Sequence, residues 1–122
     1  MNELQRAEKR RAAERRGRWA ERLVLALLLC KGYRLVAARY RSPLGEIDLV
    51  MRRRRLLVFV EVKFRADPGA AAIALGPRQR DRLRRAAALF GAAHPAYAGF
   101  EPRFDLVIVP RRALPKHIKN AW

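Results

Sequence analysis

Two acidic residues and a lysine occupy positions where the surrounding sequence calls for buried strand. Gly45-Glu46-Ile47-Asp48-Leu49-Val50 and Val58-Phe59-Val60-Glu61-Val62-Lys63 are otherwise largely apolar and rich in β-branched residues, the composition of strands packed against a core. Burying an unpaired carboxylate costs several kcal/mol, so Asp48 and Glu61 need a partner that offsets it. In a chain of net charge +17, a divalent cation held against a phosphodiester meets that need.

Side chains alternate across a strand. Strict alternation places Ile47, Leu49 and Met51 on one face and Glu46 and Asp48 on the other. In the following strand Val58, Val60, Val62 and Phe64 form the core face, with Glu61 and Lys63 opposite and about 7 Å apart. Adjacent antiparallel strands then bring Asp48 and Glu61 within reach of one ion, with Lys63 beside it. Two carboxylates completed by water are a usual binding mode for Mg²⁺, and Mn²⁺ accepts the same donors. Such an ion activates a water and stabilises a departing oxygen. Lys63 can orient that water, help lower its pKa or neutralise the pentacoordinate phosphate. Arginine cannot exchange a proton this way, and lysine is scarce here, 5 residues against 23 arginines. The competing reading is structural, with Glu61 and Lys63 forming an ion pair on an exposed sheet surface and Asp48 pairing with an arginine.

The 122 residues suit one domain that folds without staples. Lys and Arg number 28 against 11 Asp and Glu, which favours a polyanionic partner because neutralised phosphates release counterions. Nucleic acid is the first expectation; an anionic membrane surface and a ribosomal-type structural role are the others. Cys30 has no second cysteine to pair with and reads as a small core residue in a reducing compartment. The apolar run Leu23 to Cys30 is far short of the ~20 residues that span a bilayer, and Leu29 is not the small residue a signal cleavage site requires. A cytoplasmic protein is expected.

The elements that must position these groups follow from periodicity and breakers. Asn2 to Cys30 reads as a helix with Trp19, Leu23, Ala26, Leu27 and Cys30 as its apolar stripe and an interruption near Gly17. Its first half, through Arg6, Lys9, Arg10, Arg11, Arg15, Arg16 and Arg18, lacks an apolar face and reads as a mobile basic arm. Strands follow at Tyr33 to Arg41, Glu46 to Met51 and Leu56 to Phe64, with turns at Ser42-Pro43-Leu44-Gly45 and Arg52-Arg53-Arg54-Arg55. After Asp67-Pro68-Gly69 and an Ala-rich loop, Pro77 opens a helix to about Gly91 on a stripe of Leu83, Ala86, Ala87 and Phe90. Phe104 to Val109 is the last strand, and the tail beyond Pro110 has no readable structure. A helical crossover lets that strand lie parallel to an earlier one, giving an α/β single domain with a mixed sheet.

Arg52, Arg53, Arg54, Arg55 and Arg65, with Arg78, Arg80, Arg82, Arg84 and Arg85 on the second helix, are candidate phosphate contacts. His94 and His117 are isolated, lack the spacing of a zinc site and read as surface residues. Tyr97, Phe100 and Trp122 could stack on bases, but packing is the simpler reading.

Gly17-x-x-Ala20-Glu21, Gly32-Tyr33, Gly45-Glu46-Ile47-Asp48-Leu49, Val58-Phe59-Val60-Glu61-Val62-Lys63 with Arg65, and Arg103-Phe104-Asp105-Leu106 resemble the YraN-type family of small bacterial proteins. That family is similar to archaeal-type Holliday-junction resolvases of the PD-(D/E)xK nuclease superfamily. The resemblance runs from about Gly17 to Val109 and implies a restriction-endonuclease-like core of helix, three strands, helix and strand. It implies Asp48 and Glu61 as metal ligands, Lys63 as the third catalytic residue and Glu21 as a further acidic group directed at the metal. Gln79 stands where the family commonly has Lys, and Val24 where a small residue is usual; Gln79 preserves a capacity to contact phosphate or water. The domain plan is then a basic helical arm at 1–18, a nuclease-like domain at 19–110 and a tail at 111–122. The implied activity is Mg²⁺- or Mn²⁺-dependent endonucleolytic cleavage of DNA, branched DNA included, by a chain that resolvase behaviour suggests is a homodimer. The alternative is a non-catalytic nucleic-acid-binding protein, RNA- or ribosome-associated, that retains the fold.

Overall fold

In the computed structural model, residues 1–65 and 75–122 are described; the expected Asp67-Pro68-Gly69 turn falls outside them. Helix α1 spans Glu3–Cys30. Asn2 caps it by accepting the Gln5 N–H at 2.8 Å while its own N–H donates to Gln5 Oε1 at 2.9 Å, a reciprocal arrangement that satisfies donors the first turn would leave unpaired. The helix passes through Gly17 without a break, contrary to the expected interruption. One glycine costs about 1 kcal/mol of helix propensity, and the Ala, Arg, Glu and Leu around it outweigh that. At the other end Gly32, at φ 91°, turns the chain so that its N–H reaches Leu29 O and the Tyr33 N–H reaches Leu28 O, both at 3.0 Å. Such a left-handed C-terminal turn favours glycine.

Five strands follow the helix: β1 (Arg34–Ser42), β2 (Gly45–Arg53), β3 (Leu56–Arg65), β4 (Glu101–Pro110) and β5 (Lys116–Ile118). They form one sheet in the order β1-β2-β3-β4-β5, parallel between β3 and β4 and antiparallel elsewhere. The parallel pair is connected through α2 (Pro77–Ala93) and a short 3-10 turn, Pro95–Tyr97. Helix α1 packs on one face through Ala20, Val24 and Leu28 against Leu49, Met51, Val58, Val60, Val107 and Val109. Helix α2 packs Leu83, Ala86, Ala87 and Phe90 on the other, against Ile47, Val50, Leu57 and Phe59. The three-layer α/β domain has the helix, three strands, helix, strand core of restriction-endonuclease-like folds.

Three expectations are corrected. The buried row of α1 is Ala20, Val24 and Leu28, whereas Trp19 is 51 % exposed and Ala26 and Cys30 lie in solvent. The last turns of this helix are apolar all round, so periodicity alone does not select the face that meets the sheet. The tail contributes a strand, β5, pairing Ile118 with Leu106, and closes with the Trp122 ring 5.4 Å from that of Phe104. Three residues are too short to show a period. Finally, Ile47 does not share a face with Leu49 and Met51: it packs with Val50 under α2, while the other two lie under α1. Residues 47 and 50 share a side, so alternation skips a step around Asp48. In β1, Ala37 and Tyr40 show the same skip, centred on Arg39, whose φ of 51° is left-handed.

Candidate active site

The register explains how Asp48 comes to be available. β2 and β3 pair from Arg53–Leu56 to Leu49–Val60, and one step further the Val62 N–H donates at 2.8 Å to Asp48 Oδ2. A side-chain oxygen has taken the place of a backbone carbonyl at the point where the two strands part. β1 meets the same point: Ala38 pairs with Leu49 and Tyr40 with Ile47, leaving Arg39 opposite Asp48. The irregular backbone that defeats strict alternation is therefore the device that aims the carboxylate.

Glu61 is on β3, 7 % exposed, and its Oε1 is 3.2 Å from Lys63 Nζ. Burial raises the Glu61 pKa, with the Lys63 charge opposing it and the Asp48 carboxyl within hydrogen-bonding reach. The Asp48 pKa is pushed up to about 7, first by burial and then by the Glu61 charge, against the Val62 N–H that favours the anion. Two carboxyl groups sharing one low-dielectric site cannot both ionise cheaply.

Glu21, from α1, acts on both carboxyl groups electrostatically, and its Oε2 accepts a hydrogen bond from Arg39 Nε at 2.9 Å. Among the described residues no three His, Cys, Asp or Glu side chains are gathered closely enough to cage a metal ion. Two carboxylates are nonetheless a fitting donor set for Mg²⁺, which keeps several waters and is often bound through one or two carboxylates plus substrate phosphate.

The remaining candidates fall into separate groups. Arg82, on α2, crosses Gly45 so closely that a Cβ there would lie 2.8 Å from its Cγ, which places the start of α2 beside the start of β2. Gln79 is half-buried one turn before Arg82; Arg78 is exposed, and Arg80 is half-buried with its Nε enclosed and unpaired. Arg65 ends β3, its guanidinium on the Phe64 carbonyl at 3.0 Å. By contrast, Arg52, Arg53, Arg54 and Arg55 are at the far end of the β2–β3 hairpin, about 13 Å from Asp48 at four strand residues. Arg53 stacks over Tyr33 and Arg55 over Phe100, so the turn is a second basic surface.

Both histidines depart from expectation. His94 Nδ1–H donates to the Phe90 carbonyl, 2.8 Å away, and the imidazole stacks on the Phe90 ring. The His117 side chain is 3 % exposed, with Nε2 at 2.7 Å from Asp105 Oδ2. Fully buried Asp105 also accepts two hydrogen bonds from Arg103 and one from the Asn120 N–H, and Arg103 donates to the Tyr33 hydroxyl. This network was not read from the sequence, although an acid within the apolar run of β4 carried the same signal as Asp48 and Glu61. Tyr97, Phe100 and Trp122 pack in the α2 layer, as expected.

The model of the uncharacterised protein family UPF0102 matches residues 20–109. The chain belongs to the UPF0102 family. It is similar to a UPF0102 protein of Rhodopseudomonas palustris strain BisB18, 52 % identical over 95 % of this chain and 86 % of that one. A UPF0102 protein of Bradyrhizobium diazoefficiens is 51 % identical over 91 % of this chain and 84 % of its own, and one from Maricaulis maris 50 % over 93 % and 89 %. The UPF0102 match takes in the acidic site, from Ala20 in α1 to Val109 in β4. No helix among the described residues is long and apolar enough to cross a membrane.

Proposed function

We propose that this UPF0102 chain is a metal-dependent endonuclease that hydrolyses phosphodiester bonds in DNA, branched DNA included. The observation that carries the reading is the pairing of two carboxyl groups, buried Glu61 and half-buried Asp48, on neighbouring strands with Lys63 3.2 Å from Glu61. Surface ion pairs do not require this burial, whereas phosphoryl transfer requires charge fixed in a water-poor site. Asp48 and Glu61, with Glu21 in reserve on α1, would hold Mg²⁺ or Mn²⁺, which would supply Lewis acidity at the phosphate. Lys63 donates to the attacking water or to a phosphoryl oxygen as its charge grows, and Glu61 keeps that ammonium in place. Arg78, Arg80, Arg82 and Gln79 approach the backbone from α2, and net charge supplies the long-range attraction.

The deciding experiment is cleavage of a panel of linear, flapped and four-way DNA with Mg²⁺ or Mn²⁺, comparing wild type with Asp48→Ala. Metal-dependent products from wild type alone support the proposal. Tight binding of the panel with no cleavage by either protein replaces it with the non-catalytic nucleic-acid-binding role.

A further inference from the structure

A cleft of about 320 Å³ opens between α1 and the β1–β2 pair, walled by Arg18, Glu21, Arg22 and Arg39 over a floor that includes Leu25 and Leu49. Arg18 and Arg22 are one turn apart on α1 and so share a helix face. Arg39 arrives from the opposite wall because its left-handed backbone, φ 51°, breaks the alternation of β1 and turns the side chain toward α1. A non-glycine residue rarely adopts that conformation, and here it places a guanidinium opposite Asp48.

The cleft's charge is unbalanced. Three guanidinium groups face a single carboxylate, Glu21, which Arg39 Nε holds at 2.9 Å. Among the described residues, Arg18 and Arg22 have no acidic partner within ion-pair distance. A guanidinium fork recognises carboxylate and phosphate by the same planar, two-point geometry, so an anion of either kind suits Arg39. Glu21 also raises the pKa values of Asp48 and Glu61 through its charge, so it is close to the carboxyl pair as well as to the arginine.

We infer that this cleft is the seat of a nucleic-acid phosphate, and that Glu21 is its internal stand-in: when a phosphate takes Arg39, the Glu21 carboxylate is released toward Asp48 and Glu61. The inference rests on the endonuclease reading for its biological purpose and adds the place where the backbone binds and the coupling that follows. Substrate arrival then completes a three-carboxylate site that the unliganded chain keeps divided. Without substrate, Arg39 withholds the third carboxylate, which weakens the attraction for a divalent ion.

The test uses full-length protein in EDTA, with inorganic phosphate and then a short single-stranded DNA as probes. Titration should move the Arg39 Nε–H resonance saturably. Glu21→Gln, which removes the competing anion and keeps the shape, should bind both probes several-fold more tightly than wild type. Arg39→Asn should abolish that gain when combined with Glu21→Gln, and asparagine tolerates left-handed backbone, so the fold is kept. Arg111→Ala, which removes one charge from the exposed tail, should lower the affinity of wild type and Glu21→Gln by the same factor. An Arg39 resonance unmoved at saturating phosphate, or equal affinities for wild type and Glu21→Gln, overturns the inference. Because neither metal nor turnover enters, phosphate binding at Arg39 by a protein that never cleaves would reject the endonuclease reading alone, and cleavage with an unmoved Arg39 would reject this one alone.

Discussion

His117 reaches from the last strand to hydrogen-bond Asp105 at 2.7 Å, although Asp105 is fully buried in the middle of the sheet. Lys31 Nζ, a donor only, is 3.0 Å from the other ring nitrogen, so the imidazole accepts from Lys31 and donates to Asp105. The contact ties residues beyond β4 to the end of α1, and with Arg103, Tyr33 and the Asn120 N–H it leaves neither Asp105 oxygen unpaired.

Removing Asp105 should therefore be far worse than removing His117. Asp105→Asn leaves the half-buried Arg103 charge without its counter-ion and turns an amide N–H₂ toward donors, a loss of about 3 kcal/mol or more, whereas His117→Ala leaves Arg103 in place and costs about 1–3 kcal/mol. Burial opposes ionisation of Asp105, but the hydrogen bonds from His117, Arg103 and Asn120 outweigh it and hold the pKa below the usual carboxylate value. The associated stability is present above the unfolded pKa of about 3.9 and disappears as the pH falls through the lower folded value. Urea melts at pH 7 rank the variants. Equal losses for the two would show that His117, not Asp105, is the centre of the network.

Asp48 has the opposite sign. Its folded pKa of about 7 exceeds the ordinary value of 3.8, so the folded state binds the extra proton between these limits. Its contribution is neutral below about pH 4 and becomes increasingly destabilising as the pH rises toward 7. Asp48→Asn, neutral at every pH, should gain in melting temperature relative to metal-free wild type between pH 5 and pH 8. A difference between the two proteins that stays constant across this range would show that Asp48 is ionised throughout.

A divalent cation held by the same carboxyl oxygens would compete with that proton. Mg²⁺ or Mn²⁺ should raise the melting temperature of wild type by binding the folded state only, more strongly at pH 8 than at pH 6 because the ligand must be deprotonated. Asp48→Asn should lose the effect. Titration calorimetry that detects no divalent binding, with or without DNA, would remove the metal from the mechanism.

The sequence made the carboxylates legible because an acid in an apolar β-branched run conflicts with its surroundings. The same conflict marks Asp105, but its partner His117 lies twelve residues on, beyond Pro110 and Pro115, so no local pattern joins them. Arg39 was illegible for a different reason: one arginine among 23 carries no distinguishing signal, and its left-handed φ arises where β1 and β2 together accommodate Asp48. The layers themselves were readable from breakers and periodicity, whereas the face of α1 was not, since Leu23 to Cys30 is apolar on every side.

Binding should be strongly dependent on salt. Arg78, Arg82 and Arg53 to Arg55 are exposed on separate surfaces, and with about five phosphates neutralised the slope of log affinity against log salt is about −4 or steeper. Fluorescence anisotropy from 50 to 200 mM salt measures it. A nearly flat plot would exclude nucleic acid as the main partner.

Lys63 separates catalysis from binding. Its side chain is 26 % exposed, with the ammonium 3.2 Å from Glu61; in the proposed endonuclease it would make at most a small share of the contacts to DNA, while its charge would lie where the phosphoryl group gains negative charge. An interaction stronger in the transition state than in the ground state lowers kcat when it is lost, not affinity. Lys63→Ala should reduce turnover by about 10²-fold or more with Kd for DNA nearly unchanged. Lys63→Arg keeps the charge but spreads its donors over a planar fork and cannot exchange a proton, so it should recover little activity. A structural Glu61–Lys63 pair predicts a different pattern, a loss of about 0–1 kcal/mol of stability and no kinetic effect. Single-turnover cleavage at saturating enzyme, compared among the three proteins, distinguishes the two, and equal rates for wild type and Lys63→Ala would assign the lysine to the sheet surface.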